Sequence, residues 1–193
     1  MNLKPFYWNR EPKSYSVTDD QVVIESKPFT DFWQRTYYGI QNDNCPVFQM
    51  DTEETHFSFV TKVSFRDSHV RYNQCGVAIY LDSDNWFKAA IEYENEEYQN
   101  LGCVVTNHGY SDWSTMEIPL STTSLWFRLS RRNQDFKIEY SEDGERFHQL
   151  RMFHLHAATG KIPFGIFACS ADDGSFTATF SQMKLTECQW PAP

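Results

Sequence analysis

The residues most able to do chemistry lie on a hairpin between positions 75 and 93. In CGVAIYL, Cys75, Val77, Ile79 and Leu81 share one face, and in WFKAAIEY, Phe87, Ala89, Ile91 and Tyr93 do the same. Side chains alternate along a strand, and residues opposite one another in an antiparallel pair share a face. The other face therefore carries Gln74, Gly76, Ala78 and Tyr80 beside Trp86, Lys88, Ala90 and Glu92. This holds whether Ala78 faces Lys88 and Gln74 faces Glu92, or the register is shifted by two. Small residues form a low floor, and Gln74, Lys88, Glu92 and aromatic rings stand around it. That is the composition of a concavity with convergent hydrogen-bonding groups. The plainer alternative is a surface Lys–Glu pair over small residues packed by a loop.

A second group follows in TNHGYSDWST. Asp112 and Trp113 lie after a Gly-containing turn, read here as a polar loop. An aromatic plane beside carboxylates and amides suits the apolar C–H face of a sugar ring; otherwise Trp113 plugs the end of the fold. Arg128 alternates away from Leu125, Phe127 and Leu129 and so faces outward with Trp126. Trp33 is a further candidate for an aromatic wall. The binding set is thus Trp33, Gln74, Trp86, Lys88, Glu92, Asp112, Trp113 and Arg128.

Other chemistries find less support. EYENE places Glu92, Glu94 and Glu96 two residues apart, as acids on a glycosidase strand would be, but ENEE reads as a turn with Glu94 and Glu96 in water. His154 and His156 share one side of a strand without an evident third metal ligand. There is no GxSxG, no glycine-rich phosphate loop and no EF-hand. No catalytic residue, metal ligand or cofactor is assigned.

The elements that position these groups are strands. THFSFVTKVSF, SLWFRLSR, DFKIEY, PFGIFAC and SFTATFSQMKL all alternate, and QVVIE and RTYYGI are shorter candidates. DSDN at 82–85, ENEE at 94–97, EDGE at 142–145 and DDGS at 172–175 mark turns. Ten or more strands without crossover helices predict an all-β fold: an antiparallel two-sheet β-sandwich of jelly-roll type. The boundaries read as an N-terminal arm over 1–20, a sandwich over 21–187 and a tail over 188–193. The arm's Phe6, Tyr7 and Trp8 either seal the sandwich edge or offer a protein partner an apolar patch.

Composition narrows the class. The 193 residues carry 26 acidic and 17 basic side chains, a formal charge of −9, which argues against nucleic acid and anionic membranes as partners. No secretory signal or membrane-spanning run is read, so a cytoplasmic location is expected, with the five cysteines as free thiols and no disulfide.

Several strings together resemble the DUF1349 family: TDFWQRTYYG, YNQCGVAIYLDSDNWFKAAIEYENE, VVTNHGYSDWS, LWFRLSRRNQDFKIEYSEDGERFHQLR and PFGIFACSADDGSFTATFSQMKL. They span roughly residues 20–186. The resemblance implies a concanavalin A-like lectin/glucanase sandwich, in a bacterial and fungal group that includes the fungal regulation of enolase proteins. Similar domains accompany glycoside hydrolases acting on xylose-containing substrates, but the family carries no established reaction. Where it often has Asp-Gln-Ala-Gly, this chain has Asn73-Gln74-Cys75-Gly76, which removes a carboxylate from that position.

The expectation is a non-catalytic module that binds a saccharide or small polar ligand on a concave sheet face. Lys88 and Arg128 would favour a neutral or anionic ligand, with Glu92 ionised beside one of them. The alternatives are a glycoside hydrolase-like enzyme and a protein-interaction module regulating a metabolic enzyme.

Overall fold

The computed structural model describes residues 1–66 and 68–193, with the Arg66 side chain outside that description. Among the described residues the strands, in chain order, are β1 (Tyr7–Trp8), β2 (Ser14–Val17), β3 (Gln21–Glu25), β4 (Phe32–Gln34), β5 (Gln41–Asp43), β6 (Val47–Thr52), β7 (His56–Arg66), β8 (Asn73–Asp82), β9 (Asn85–Tyr93), β10 (Tyr98–Asn107), β11 (Tyr110–Pro119), β12 (Ser124–Arg132), β13 (Asp135–Ser141), β14 (His148–His154), β15 (Ile162–Ser170) and β16 (Thr177–Thr186). They form two seven-stranded antiparallel sheets. The first runs β1-β6-β15-β8-β9-β10-β11 and the second β14-β13-β12-β7-β16-β3-β2. A small hairpin, β4-β5, makes a third sheet.

The all-β sandwich follows from the alternation. Phe57, Phe59, Val63, Phe127, Leu129, Phe136, Ile138 and Phe180 of the second sheet meet Val77, Ile79, Phe87, Ile91, Leu101 and Ile166 of the first in one dry core. Burying such side chains stabilises the sandwich by roughly 1.5–3 kcal/mol each before chain entropy is counted. The segment before residue 21 does more than lie over the body. β1 pairs with β6 at the edge of one sheet and β2 with β3 at the edge of the other. Phe6 joins the core and Trp8 packs on Phe48, while Tyr7 stays exposed.

A second apolar cluster lies on the outer face of the first sheet. Phe32, Trp33 and Cys45 pack there on Val47, Ala78, Trp86, Ala90, Val104, Phe167 and Cys169 of the sheet. The β4-β5 hairpin is the cover. RTYYGI, expected as a strand, is mostly the turn between β4 and β5. Arg35, Tyr37 and Gly39 take left-handed φ of 56°, 61° and 69° there, which interrupts any ladder. The hairpin is tied down at several points. The Gln34 N–H donates to Ser111 Oγ at 2.9 Å, Arg35 pairs with Asp84 at 2.9 Å, and the Tyr80 hydroxyl donates to Asp43 at 2.6 Å.

Candidate functional site

Strand register builds a grid on the outer face of the first sheet. The β8-β9 pair takes the unshifted register, with Gln74 opposite Glu92, Gly76 opposite Ala90 and Ala78 opposite Lys88. On β10, Asn100 faces Glu92, Gly102 faces Ala90 and Val104 faces Lys88. On β11, Thr115 faces Gly102 and Trp113 faces Val104. One row is therefore polar (Gln74, Glu92, Asn100), the next is small (Gly76, Ala90, Gly102), and the third ends in Lys88 and Trp113. A Cβ at Gly76 would lie 1.9 Å from the Ala89 carbonyl oxygen, so only glycine permits that close approach.

The cover hairpin leaves this part of the sheet open, and a cavity of about 270 Å³ results. Asp31, Trp33, Tyr38, Tyr72, Gln74, Lys88, Ala90, Glu92, Asn100, Trp113 and Asp172 are among the residues lining it. Trp33 stands edge-on to Trp113, ring centroids 6.0 Å apart at 81°, and edge-on to Tyr38 at 5.4 Å. Its indole N–H donates to the Thr36 carbonyl at 3.0 Å, which fixes the ring plane. Trp113 is 39% exposed and stands at the accessible side of the corner.

The charged floor differs from expectation in one respect. Lys88 Nζ lies 2.7 Å from Asp31 Oδ1, which also accepts the Gln74 amide at 3.3 Å. Burial works against the Lys88 ammonium, yet Asp31 and the neighbouring acids outweigh it and hold its pKa above the ordinary value. Glu92, expected to pair with Lys88 or Arg128, pairs with neither. It is 8% exposed, and its Oε1 is buried without a hydrogen-bond partner. Burial pushes its pKa up to about 7; Asp31 and Glu94 reinforce this, while Lys88 and Arg71 oppose it. A buried carboxylate with no donor favours its neutral form.

Gln74, Lys88, Glu92, Trp33 and Trp113 thus come together around one cavity. The other three candidates do not. Trp86 is fully buried under Phe32, ring centroids 5.5 Å apart, because the cover hairpin seals that end of the sheet. Trp113 and Asp112 lie inside β11 rather than in a loop, so Asp112 points to the opposite face, where it pairs with Arg151 at 2.9 Å. Arg128 faces outward as expected, but from the second sheet, where it binds Glu139 at 2.7 Å. The positive character expected of the site is therefore absent: Arg128 is elsewhere and Lys88 is neutralised by Asp31.

Asp31, Asn100, Tyr38, Tyr72 and Asp172 were not among the sequence candidates. Asp31 stands in the TDFW string, but its partner is 57 residues away. Glu94 is not in water either. Arg71 holds it at 2.5 Å and Asn100 donates to it at 3.3 Å. Asn73, the position that departs from the family pattern, faces away from the cavity. Its amide donates to Ser170 at 2.6 Å and its carbonyl accepts from Ser68 at 2.9 Å, a structural role. The His154 Nδ1–H donates to Asp135 Oδ1 at 2.7 Å and its ring sits 4.7 Å from His156, yet the described residues hold no group arranged to bind a metal ion.

Comparison with known proteins agrees with this architecture. The regulation of enolase protein 1 of Saccharomyces cerevisiae is 29% identical over 180 residues, 93% of this chain and 88% of that protein. A functionally unknown protein from Saccharomyces cerevisiae superposes with a TM-score of 0.89 at 27% identity, over 98% of this chain and 100% of that one. The GH43 BlXynB protein from Bacillus licheniformis gives 0.69 at 19% identity, with 95% of this chain aligned to 37% of that one. The carbohydrate binding module CBM66 from Bacillus subtilis gives 0.57 at 12% identity, over 93% and 95% of the two chains. The last two likenesses are of fold alone. Residues 8–188 match the family described as protein of unknown function (DUF1349), and the chain belongs to that family.

Proposed function

We propose that the cavity on the outer face of the first sheet binds a saccharide and that the chain acts as a binding module. The observation that carries this reading is the opposition of an aromatic corner, Trp33 and Trp113, to a polar row, Gln74, Glu92 and Asn100, across a floor of small residues. A sugar ring presents C–H faces to aromatic planes and hydroxyls to amides and carboxylates at its rim. The size of the cavity, just under the usual range for ligand pockets, fits a ring rather than a long chain. The fold likeness to a carbohydrate binding module and to a GH43 protein supports the reading.

Calorimetric titration of the chain with a panel of mono- and disaccharides tests it. Saturable binding by at least one sugar, weakened about tenfold or more by Trp113→Ala, is expected. No binding across the panel would remove the reading.

One observation favours glycoside hydrolysis as a second reading. A carboxyl held near pH 7 beside a second carboxylate, Glu92 beside Asp31, is what a general acid requires. Against it, Asp31 is the counter-ion of Lys88 and also accepts from Gln74. Hydrolysis of aryl glycosides that disappears in Glu92→Gln would establish the enzyme; no turnover is expected.

A further inference from the structure

We propose that the ligand of this cavity carries a cationic amine, seated against Oε1 of Glu92. The proposal rests on the saccharide reading and narrows it to an amino sugar.

The charge balance of the lining carries the argument. Among the described residues around the cavity, the acids are Asp31, Glu92 and Asp172, and Lys88 is the one cation. Asp31 and Lys88 neutralise each other at 2.7 Å. Arg71, which acts on Glu92 from outside, is bound to Glu94 at 2.5 Å. What remains is acidic, and its most buried member is unsatisfied: Glu92 is 92% buried with Oε1 unpartnered. A hydroxyl could donate to that oxygen but would leave the ionised form without a counter-charge. An ammonium N–H both donates and neutralises, and charge-assisted bonds of that kind are the stronger ones.

The aromatic wall fits the same ligand. Trp33, Trp113, Tyr38 and Tyr72 line the cavity with Glu92, and aromatic faces attract cations. An anionic ligand would meet Glu92 and Asp172 with only an already paired Lys88 to receive it.

The test is calorimetric titration of the full chain near neutral pH with 2-amino- and 6-amino-hexoses, their N-acetyl derivatives and the parent hexoses. At least one amino sugar is expected to bind about tenfold or more tighter than its parent and its N-acetyl form. Glu92→Gln should abolish that ratio, so that the amino sugar and its parent bind the variant alike. Parent or N-acetyl sugars binding as tightly as the amine would overturn the proposal and leave the saccharide reading standing. So would a ratio that survives in Glu92→Gln. Failure of every sugar to bind would remove the saccharide reading and the proposal together.

Discussion

Glu92 and Glu139 are both buried, at 8% and 5% exposure, and each sits on the outer face of one of the two sheets. Their surroundings diverge. Glu139 accepts from Arg128 at 2.7 Å and pairs with Lys137 at 2.8 Å. Burial works to raise its pKa, but those two cations outweigh burial and hold it below the ordinary range. Glu92 has a lysine on its own strand, yet that lysine is turned to Asp31, and burial pushes the Glu92 carboxyl up to about 7. Burial alone therefore does not mark a functional carboxylate. What separates the two is whether the fold supplies the counter-charge. At Glu139 it does, and at Glu92 the missing donor faces a cavity.

The comparison can be broken by mutation, and the largest effect is expected at the partner rather than at Glu92. Asp31→Asn leaves the Lys88 ammonium buried without its counter-ion. Breaking a buried pair this way should cost about 4 kcal/mol of unfolding free energy, read by chemical denaturation at neutral pH. A loss below about 1 kcal/mol would mean Lys88 finds its compensation in Glu92 instead.

Glu92→Gln should act in the opposite direction. The folded-state pKa is raised, so the native protein binds its proton more tightly than the unfolded chain and loses stability as pH rises from the ordinary carboxylate range to about 7. Glutamine does not titrate. The variant should match the parent near pH 4 and exceed it at pH 8 by on the order of 3 kcal/mol. A variant destabilised at pH 8 would show that Glu92 has a donor in the folded state.

Glu139→Gln sharpens the contrast with a smaller loss. Removing the carboxylate leaves two cations partly unpaired, for about 2 kcal/mol at pH 7. The lowered pKa means this stability is present above the ordinary carboxylate range and fades as pH falls through the folded value. Denaturation curves of parent and variant should therefore converge in acid, as for the Glu92 pair, but above that range the variant is the less stable of the two rather than the more stable. Ligand affinity should be unchanged in Glu139→Gln, because the second sheet takes no part in the cavity.

Why some of this was legible in the sequence follows from the range of each signal. Alternation along one hairpin is local, so the shared outward face of Gln74, Lys88 and Glu92 could be read directly. Alternation separates inward from outward but does not say which of two sheets a strand joins, and Arg128 was misplaced for that reason. It also says nothing of what covers an outward face. Trp86 and Trp33 both lie on the hairpin-covered side, yet Phe32 seals one while the other stays at the rim of a cavity. Asp31 was missed because its pairing with Lys88 is a product of the cover hairpin's path, fixed by the turn at 35–40 and by ties such as Tyr80 to Asp43.

The most direct measurement is an NMR titration of the indole N–H signals of the six tryptophans with the saccharide panel. Binding in the cavity should shift Trp33 and Trp113 saturably, with a common dissociation constant. Trp8, Trp126 and Trp190, outside its lining, should stand still. Shifts confined to Trp126 on the second sheet, or no shift at Trp33 and Trp113 with any sugar, would contradict the assignment of this cavity as the binding site.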